Sequence, residues 1–384
     1  MASRTVDVVA TAGPSSDPYA PGATAWALAG ALARRGDSVA VLFPSGGESS
    51  AAPDGVRPVP VDLPLRHPGA AIEGAELATA AGRHLRRDAD LVLRDPIGLG
   101  RLGAARGRGP IVAGFVRGVE LTAYDHERPP GSAGFRDRLD RWRDRRAIRR
   151  LEEAALREAD RLFCDAPGLP GVLAAVYGVA ESRCRTALPP VARLPDLPRP
   201  EDARASFRIP NDVPVVAAPA PFEAPDPSGA DRAREAFRRV RSFFPGARLI
   251  VTGTSVPADP HVTVAPERDA GTLARALAAA DVTVFARRVP GFDPGVILAL
   301  RAGRAVLVGP GVQFPVDPGD AVRRVADDDP GELASALAEL LADPATRRPL
   351  ATAGVGYASP YDPDRVLAGI SDALRPIGAP ALPA

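Results

Sequence analysis

One structural pattern occurs twice in this sequence, once on each side of a proline-rich stretch, and it constrains the fold more than any other feature. Each copy runs from a short apolar segment through a loop and a helix into a second apolar segment, over residues 5–43 and 213–253. Two parallel strands joined by a right-handed crossover helix produce this pattern. The stretch between the copies, residues 188–200 (LPPVARLPDLPRP), is typical of a stiff linker. The sequence therefore predicts an α/β protein of two doubly wound, Rossmann-like domains that face each other across a cleft.

The linker divides the chain into four segments. We predict an N-terminal domain over residues 1–190, a linker over 191–203 and a C-terminal domain over 204–360. Residues 361–376 follow as a last helix, which we expect to pack back on the N-terminal domain. Each domain is long enough to bury a core of its own.

Charge and composition exclude several classes of function. Basic and acidic residues number 48 and 47, so the net charge of +1 gives no overall electrostatic case for nucleic acid or an anionic membrane as a partner. All 48 basic residues are arginine, and without lysine the chain cannot form the Schiff base of pyridoxal-phosphate enzymes. This arginine-, alanine- and proline-rich composition indicates a GC-rich bacterial genome. We interpret the arginines of a helix predicted over residues 135–159 as a solvated face, with a nucleic-acid patch as the alternative.

The sequence predicts no cofactor and no metal site. Cys164 and Cys184 are the only cysteines, and we expect them to be buried free thiols in a reducing cytoplasm. Asp125, His126 and Glu127 stand together without the spacing of metal ligands. The N-terminus lacks the features of a signal peptide, and no apolar run reaches transmembrane length. We therefore expect a cytoplasmic protein.

Candidate ligand-binding residues lie on loops that follow predicted strands of the C-terminal domain. In open parallel sheets, ligands bind beyond the carboxyl ends of the strands. This rule selects the loops at residues 253–255, 266–270 and 287–295. Gly253 and Thr254 begin the first of these loops, and we predict that they contact the ligand.

The loop at residues 287–295 carries the most specific signals. Arg287 and Arg288 directly follow a strand, where guanidinium groups can neutralise a diphosphate. Gly291 and Gly295 allow a ligand to approach the backbone closely. The helix that starts beside Gly295 offers N–H groups and the positive end of its dipole. The alternative is an ordinary strand-to-helix turn with two surface arginines.

Residues 281–309 (DVTVFARRVPGFDPGVILALRAGRAVLVG) have the strand, loop, short helix and strand of a known motif. They resemble the nucleotide-sugar motif of the retaining glycosyltransferases with the two-domain GT-B fold, the GT4-type family. In that family E-G-F-G precedes the helix and A-x-G follows it. Residues 291–292 (GF) and 302–303 (AG) match in register, whereas Pro290 and Leu298 replace the two motif glutamates.

Five further segments extend the resemblance over most of the chain. Two lie in the N-terminal half: residues 21–43 match the first glycine loop and helix of the family, and residues 151–190 match the end of its first domain. Three lie in the C-terminal half: residues 244–253 match its G-x-G strand, residues 279–284 its A-D-V-x-V strand and residues 343–347 its late D-P-x-x-R. The resemblance implies a nucleotide sugar bound by the C-terminal domain. It also implies a small-molecule or glycan acceptor on the N-terminal domain.

The predicted acceptor-side residues are Gly22, Arg117 and Glu120. Gly22 matches the first glycine loop of the family, and Arg117 stands where many members have a histidine near the reacting sugar. Arg117 and Glu120 have the polar groups to bind an acceptor. An ion pair between them on a loop is the alternative.

The chain departs from the family pattern at four functional positions. The family glutamates contact the donor sugar and the ribose, and neither Pro290 nor Leu298 has a hydrogen-bonding side chain. The loop at residues 221–228 is acidic where the family has an arginine and a lysine against the phosphates, and Arg117 replaces the histidine. Asp293 is a local substitute that can accept hydrogen bonds from a sugar, or it can serve as a helix N-cap.

These observations leave three functions open. The first is transfer of a sugar from a nucleotide-activated donor, with catalysis by positioning and electrostatic stabilisation of the departing diphosphate. The second is a homologue that has lost turnover and acts as partner or stabilising subunit of a paralogous, active glycosyltransferase. The third is a related GT-B enzyme with altered chemistry.

Overall fold

A computed structural model describes residues 3–17, 20, 22–46, 50–63, 70–103, 110–117, 135–219, 227–252, 259–265, 269–287, 291–327 and 329–374. The chain divides into two compact units. The first comprises residues 1–15, 21–190 and 363–384, and the second comprises residues 16–20 and 191–362.

The first unit is built on a seven-stranded parallel sheet. Its strands are β1 (Thr5–Ala10), β2 (Ser38–Pro44), β3 (Val56–Val61), β4 (Leu91–Asp95), β5 (Ile111–Val116), β6 (Arg161–Cys164) and β7 (Cys184–Thr186). They lie in the order β3-β2-β1-β4-β5-β6-β7. Neighbouring residues on one strand point to opposite faces, so Val8 and Leu93 belong to one apolar core and Val9 and Val92 to the other. Burial on both faces explains why β1 and β4 are mostly apolar.

The second unit is built on a six-stranded parallel sheet with the order β10-β9-β8-β11-β13-β15. Its strands are β8 (Val215–Pro219), β9 (Arg248–Thr252), β10 (Val262–Ala265), β11 (Val282–Phe285), β13 (Ala305–Val308) and β15 (Arg323–Arg324). Strands β12 (Gly291–Phe292) and β14 (Val312–Gln313) form a separate parallel pair.

Eleven α-helices lie in the described ranges. They are α1 (Ala23–Arg34), α2 (Ala70–His84), α3 (Phe135–Glu158), α4 (Leu169–Tyr177), α5 (Pro200–Ser206), α6 (Pro227–Val240), α7 (Ala270–Ala279), α8 (Pro294–Arg301), α9 (Pro330–Ala342), α10 (Pro344–Ala358) and α11 (Pro363–Leu374). None of them combines the length and apolarity needed to cross a bilayer.

The last described helix, α11, belongs to the first unit although it follows the second in sequence. Val366, Leu367 and Ile370 are buried in the same core as Leu28 of α1. The end of α1 is also tied to the start of α11, because Arg35 donates a 2.7 Å hydrogen bond to the carbonyl oxygen of Asp364.

Each sheet has one point where the strand order reverses direction. In the first unit this switch point lies between β1 and β4, and in the second it lies between β8 and β11. The carboxyl ends of the strands at such a point border the crevice in which α/β proteins bind ligands. The prediction of two doubly wound α/β domains is confirmed, and each switch point locates a candidate site.

Candidate functional site

A pocket lies at the switch point of the second unit. Its empty volume is about 300 Å³, counting the open solvent at its mouth. The ends of β8 and β11, the start of α6 and the loop before α8 line it, through Ala218, Pro219, Gly229, Ala230, Val284, Phe285, Ala286, Arg287 and Asp293. The pocket thus contains two of the residues predicted to bind a donor.

Arg287 contributes a half-buried guanidinium to this pocket. Its Nη1 donates a 3.2 Å hydrogen bond to the carbonyl oxygen of Phe292, and its Nε is buried without a hydrogen-bond partner. Glycines lie on two sides of it, since a Cβ at Gly229 would stand 3.4 Å from the Arg287 Cα and a Cβ at Gly291 3.4 Å from its Nη2. The guanidinium therefore keeps hydrogen-bonding capacity that an anion can use.

Asp293 is both the N-cap of α8 and a wall of the pocket. Its side chain is 1 % exposed, its Oδ1 accepts a 2.9 Å hydrogen bond from the N–H of Gly295, and its Oδ2 is buried without a partner. Burial raises the pKa of this carboxyl group, while Arg287 and the Gly295 N–H act in the opposite direction. The capping and ligand interpretations are therefore compatible, because each uses a different oxygen.

The cap changes what the helix start can offer. Gly295 donates its N–H to Asp293, and Val296 donates its N–H to the Asp293 carbonyl oxygen at 3.1 Å. From the sequence, we expect the N–H groups at this helix start to be free to bind a diphosphate. That expectation does not hold for the N–H of Gly295, because it is bonded to Asp293. Of the groups predicted to bind phosphate, the Arg287 guanidinium keeps hydrogen-bonding capacity, whereas the Gly295 N–H is occupied by Asp293.

Leu298 stands where the resemblance expects the second motif glutamate. It lies in α8 with no exposed surface, so its side chain packs in the interior. Pro290 and the predicted ligand residues Gly253, Thr254, Arg288 and Glu120 lie outside the described residues. Their roles stay predictions.

Gly22 lies beside the switch point of the first unit. It is the N-cap of α1 with φ of +81°, and no side chain caps the helix there. A Cβ at this position would stand 3.2 Å from the N of Ala12, just beyond β1. In the sheet, Ala10 pairs with Asp95 at the end of β4. The loop after β1, the start of α1 and the end of β4 therefore meet at one edge of this sheet.

Arg117 is held by a partner that sequence analysis missed. Its Nη2 donates hydrogen bonds of 2.7 and 2.8 Å to the two carboxylate oxygens of Asp95, its Nε donates one of 3.0 Å, and the guanidinium lies 5.1 Å from the Phe115 ring centroid. Asp95 is fully buried. The described partner of Arg117 therefore comes from the neighbouring strand, and the predicted Arg117–Glu120 pair stays a prediction because Glu120 lies outside the described residues. Nη1 of Arg117 is buried without a hydrogen-bond partner.

A second aspartate adjoins this pair. Asp165 directly follows β6, and its N–H bonds the carbonyl oxygen of Val116 at 3.4 Å. Burial raises the pKa of Asp165, while Arg117 acts to lower it. Asp95 and Asp165 share one sequence signal, because each stands at the carboxyl end of an apolar strand. Within the described ranges, no group of three histidine, cysteine or acidic side chains has metal-site geometry.

Two doubly wound domains are the architecture that the resemblance to the GT-B family implied. Residues 22–192 match the model of glycosyltransferase family 4. The resemblance seen in the motifs is thereby confirmed over nearly all of the first domain. No curated protein sequence matches the chain.

Solved structures extend the likeness to the whole chain. WaaG, a glycosyltransferase involved in lipopolysaccharide biosynthesis, matches with a TM-score of 0.72 and 17 % identity over 97 % of this chain and 100 % of its own. Sucrose-phosphate synthase of Thermosynechococcus elongatus gives 0.69 and 18 % over 97 % and 99 %. HepE of Anabaena, in complex with UDP and glucose, gives 0.65 and 13 % over 96 % and 99 %. The protein is therefore glycosyltransferase-like and has the GT-B fold.

Proposed function

We propose that the protein transfers a sugar from a nucleotide-activated donor to a small-molecule or glycan acceptor. The observation that carries this proposal is the pocket at the switch point of the second domain, which combines the guanidinium of Arg287 with the buried carboxyl group of Asp293. The family match over residues 22–192 and the GT-B fold support it.

Each pocket residue has a distinct role in this proposal. Arg287 neutralises the diphosphate and stabilises the negative charge that grows on it as the sugar departs. Asp293 accepts a hydrogen bond from a donor hydroxyl through Oδ2, the oxygen that the helix cap leaves without a partner. Gly291 leaves room for the ligand beside the guanidinium, and Gly229 leaves room beside the backbone of Arg287. The protein supplies these groups itself, and the proposal includes no cofactor beyond the donor.

The acceptor is assigned to the first domain. The Asp95–Arg117 pair, Asp165 and the start of α1 at Gly22 offer hydrogen-bond donors and acceptors at its switch point. UDP is the first nucleotide to test, because HepE was crystallised with UDP-glucose. A cytoplasmic location is part of the proposal.

Ligand-induced thermal stabilisation tests the donor site. A nucleotide or nucleotide sugar at about 100 times its dissociation constant should raise the free energy of unfolding by about 2.7 kcal/mol. Arg287→Ala should weaken binding about tenfold to a hundredfold, because it removes charge-assisted hydrogen bonds. Arg348→Ala is the matched control, since Arg348 is an exposed arginine of the same domain on α10 and does not line the pocket.

The outcomes separate the candidate functions. Stabilisation and donor turnover that are both lost in Arg287→Ala and kept in Arg348→Ala would support the transferase. Binding without turnover would favour the non-catalytic partner, a candidate that the interior position of Leu298 also supports. No stabilisation by any nucleotide at millimolar concentration would contradict the proposed donor site.

A further inference from the structure

Helix α3 has an exposed arginine-rich half that the proposed sugar transfer does not use. Every residue from Arg138 to Arg150 is exposed except Arg141, which is partly buried, and Ile148, which is buried. These thirteen positions include seven arginines and two aspartates, a local net charge of +5 in a chain whose total is +1. The C-terminal half of the helix packs on the first domain through Ala155 and Leu156.

Two large apolar side chains lie among these arginines and are exposed to solvent. Trp142 is 55 % exposed and Leu139 is 37 % exposed. Trp142 follows Leu139 by three positions, so the two side chains are neighbours on one face of the helix. The guanidinium of Arg146, one turn further on, lies 5.4 Å from the Trp142 ring centroid. Leaving a tryptophan in water forgoes a substantial hydrophobic gain, which indicates a surface that is covered in use.

The charges are segregated around the helix. At about 100° per residue, Ile148 points about 180° away from Leu139, which agrees with its burial against the domain. Asp140 and Asp144 lie about 100° and 140° from Leu139, on the side toward the domain. Three arginines lie within about 40° of Leu139, namely Arg143, Arg146 and Arg150. Two more lie within about 100° of Leu139 on the side of Trp142, namely Arg138 and Arg149. The outward face is therefore an apolar pair flanked by arginines. Asp140 forms an ion pair with Arg143 at the edge of this face, with 4.0 Å between Oδ1 and Nη1.

This arrangement is that of a helix which lies in a membrane interface. Such a helix places tryptophan and leucine at the boundary between headgroups and acyl chains, while flanking cationic side chains reach anionic headgroups. Nucleic acid is a poorer fit, because phosphate contacts need the arginines and leave Leu139 and Trp142 without a function. We infer that the outward face of α3, from Arg138 to Arg150, docks the first domain on an anionic lipid surface. This proposal does not depend on whether the protein transfers sugar.

Vesicle binding by the full-length protein tests the inference. We expect it to sediment with vesicles of phosphatidylglycerol and phosphatidylcholine mixed equally, and not with phosphatidylcholine alone. Binding should weaken as salt rises from about 0.1 M to about 1 M, because the screening length falls from about 10 Å to about 3 Å. Arg143→Glu with Arg150→Glu should weaken binding about tenfold or more, since each basic residue near the surface contributes about 1 kcal/mol.

Matched controls separate this face from charge and apolarity in general. Arg348→Glu with Arg365→Glu makes the same change of charge at exposed positions on other helices and should leave binding unchanged. Leu139→Ala with Trp142→Ala should weaken binding, whereas Phe243→Ala should not, although Phe243 is 74 % exposed. Circular dichroism of each variant verifies that it is folded.

Tryptophan fluorescence reports where the contact is made. The chain has two tryptophans, and Trp26 is only 5 % exposed, so a blue shift on adding anionic vesicles should come from Trp142. Trp142→Phe should keep binding and lose the shift. The inference is overturned by any of three results: no binding to the anionic vesicles, equal loss in the control variants, or binding without a Trp142 shift. Equal affinity for a DNA duplex would also overturn it in favour of a general polyanion surface.

Discussion

At the scale of single residues, burial decides what an aspartate at a helix start contributes. Asp269 and Asp293 cap α7 and α8, and both accept a hydrogen bond from a backbone N–H. Burial acts to raise the pKa of Asp269, but the N–H and hydroxyl of Thr272 outweigh it and the pKa is lowered. Asp293 is completely buried and its pKa is raised. Two caps of the same chemical kind therefore depend on pH in opposite directions.

The first prediction compares the two caps. Asp293 keeps its proton to a higher pH when folded than when unfolded, so its contribution to stability is full in acid and falls as pH rises through its folded pKa. The contribution of Asp269 is full above the ordinary carboxyl range and is lost as pH falls through its lowered pKa. At neutral pH, Asp269→Asn should lower the free energy of unfolding by about 0.5–1 kcal/mol, whereas Asp293→Asn should leave it unchanged or higher.

Urea unfolding of the wild type and both variants between about pH 3 and about pH 8 measures these differences. The stability of the wild type relative to Asp293→Asn should fall with rising pH, and its stability relative to Asp269→Asn should rise. Slopes of the same sign for both variants would contradict the prediction.

The second prediction concerns the buried pair at the switch point of the first domain. Asp95→Asn removes the hydrogen-bonded countercharge of the mostly buried Arg117 guanidinium, and should lower the free energy of unfolding by roughly 3 kcal/mol. Arg117→Gln added to Asp95→Asn should recover part of that loss. A double-mutant cycle by chemical denaturation measures the coupling. Additive effects would show that the two side chains do not act as a pair.

At the scale of elements, the two ends of α1 use glycine for different reasons. Gly22 begins the helix with φ of +81°, and Gly36 follows its end with φ of +89°. A Cβ at Gly36 would meet nothing within 4 Å, whereas a Cβ at Gly22 would press on the backbone of Ala12 at 3.2 Å. Gly36 meets only a conformational requirement, and Gly22 also permits the loop after β1 to pass close to the helix.

The third prediction separates these two requirements. Gly36→Ala should destabilise the protein by about 1–2 kcal/mol, the usual cost of a left-handed conformation for a residue with a Cβ. Gly22→Ala pays the same cost and an additional 1–3 kcal/mol, roughly, for the displaced backbone. Thermal and chemical denaturation of both variants tests the order. If the Gly22→Ala variant were as stable as the Gly36→Ala variant, the loop after β1 would be able to move away from the added Cβ without a cost in free energy.

At the scale of the whole molecule, the first domain is completed by the far end of the chain. Helix α11 adds Val366, Leu367, Ile370 and Leu374 to the core that covers one face of the first sheet. These side chains are more than 200 residues from most of their neighbours in sequence. The first domain therefore depends on residues that are made after the second domain.

The fourth prediction follows from this arrangement. Leu367→Ala removes a completely buried side chain and should lower the stability of the first domain by about 2–5 kcal/mol. Hydrogen exchange should show reduced protection in β1 and α1 and unchanged protection in β8 and β9. Val355→Ala, at a 46 % exposed position of α10, is the control. Equal loss of protection in both domains would contradict the assignment of α11 to the first domain alone.

The periodic pattern of the sequence was enough to predict the two parallel sheets. Fully buried strands must be continuous apolar runs, and right-handed crossovers leave few topologies. The same reasoning located the loop at residues 287–295, because ligand loops follow strand ends. Arg287 and Asp293 of this loop line the pocket of the second domain, and their predicted roles in ligand binding stay predictions.

What the sequence could not decide was which polar groups pair and which side chains face water. Arg117 bonds Asp95, which stands 22 positions earlier in the chain and on the neighbouring strand, and no local spacing in the sequence predicts that contact. The two roles suggested for Asp293 depend on its burial, and Trp142 is 55 % exposed although its side chain is large and apolar. The order of residues within a short segment determines its secondary structure, whereas hydrogen-bond partners and solvent exposure are determined only when distant segments pack together.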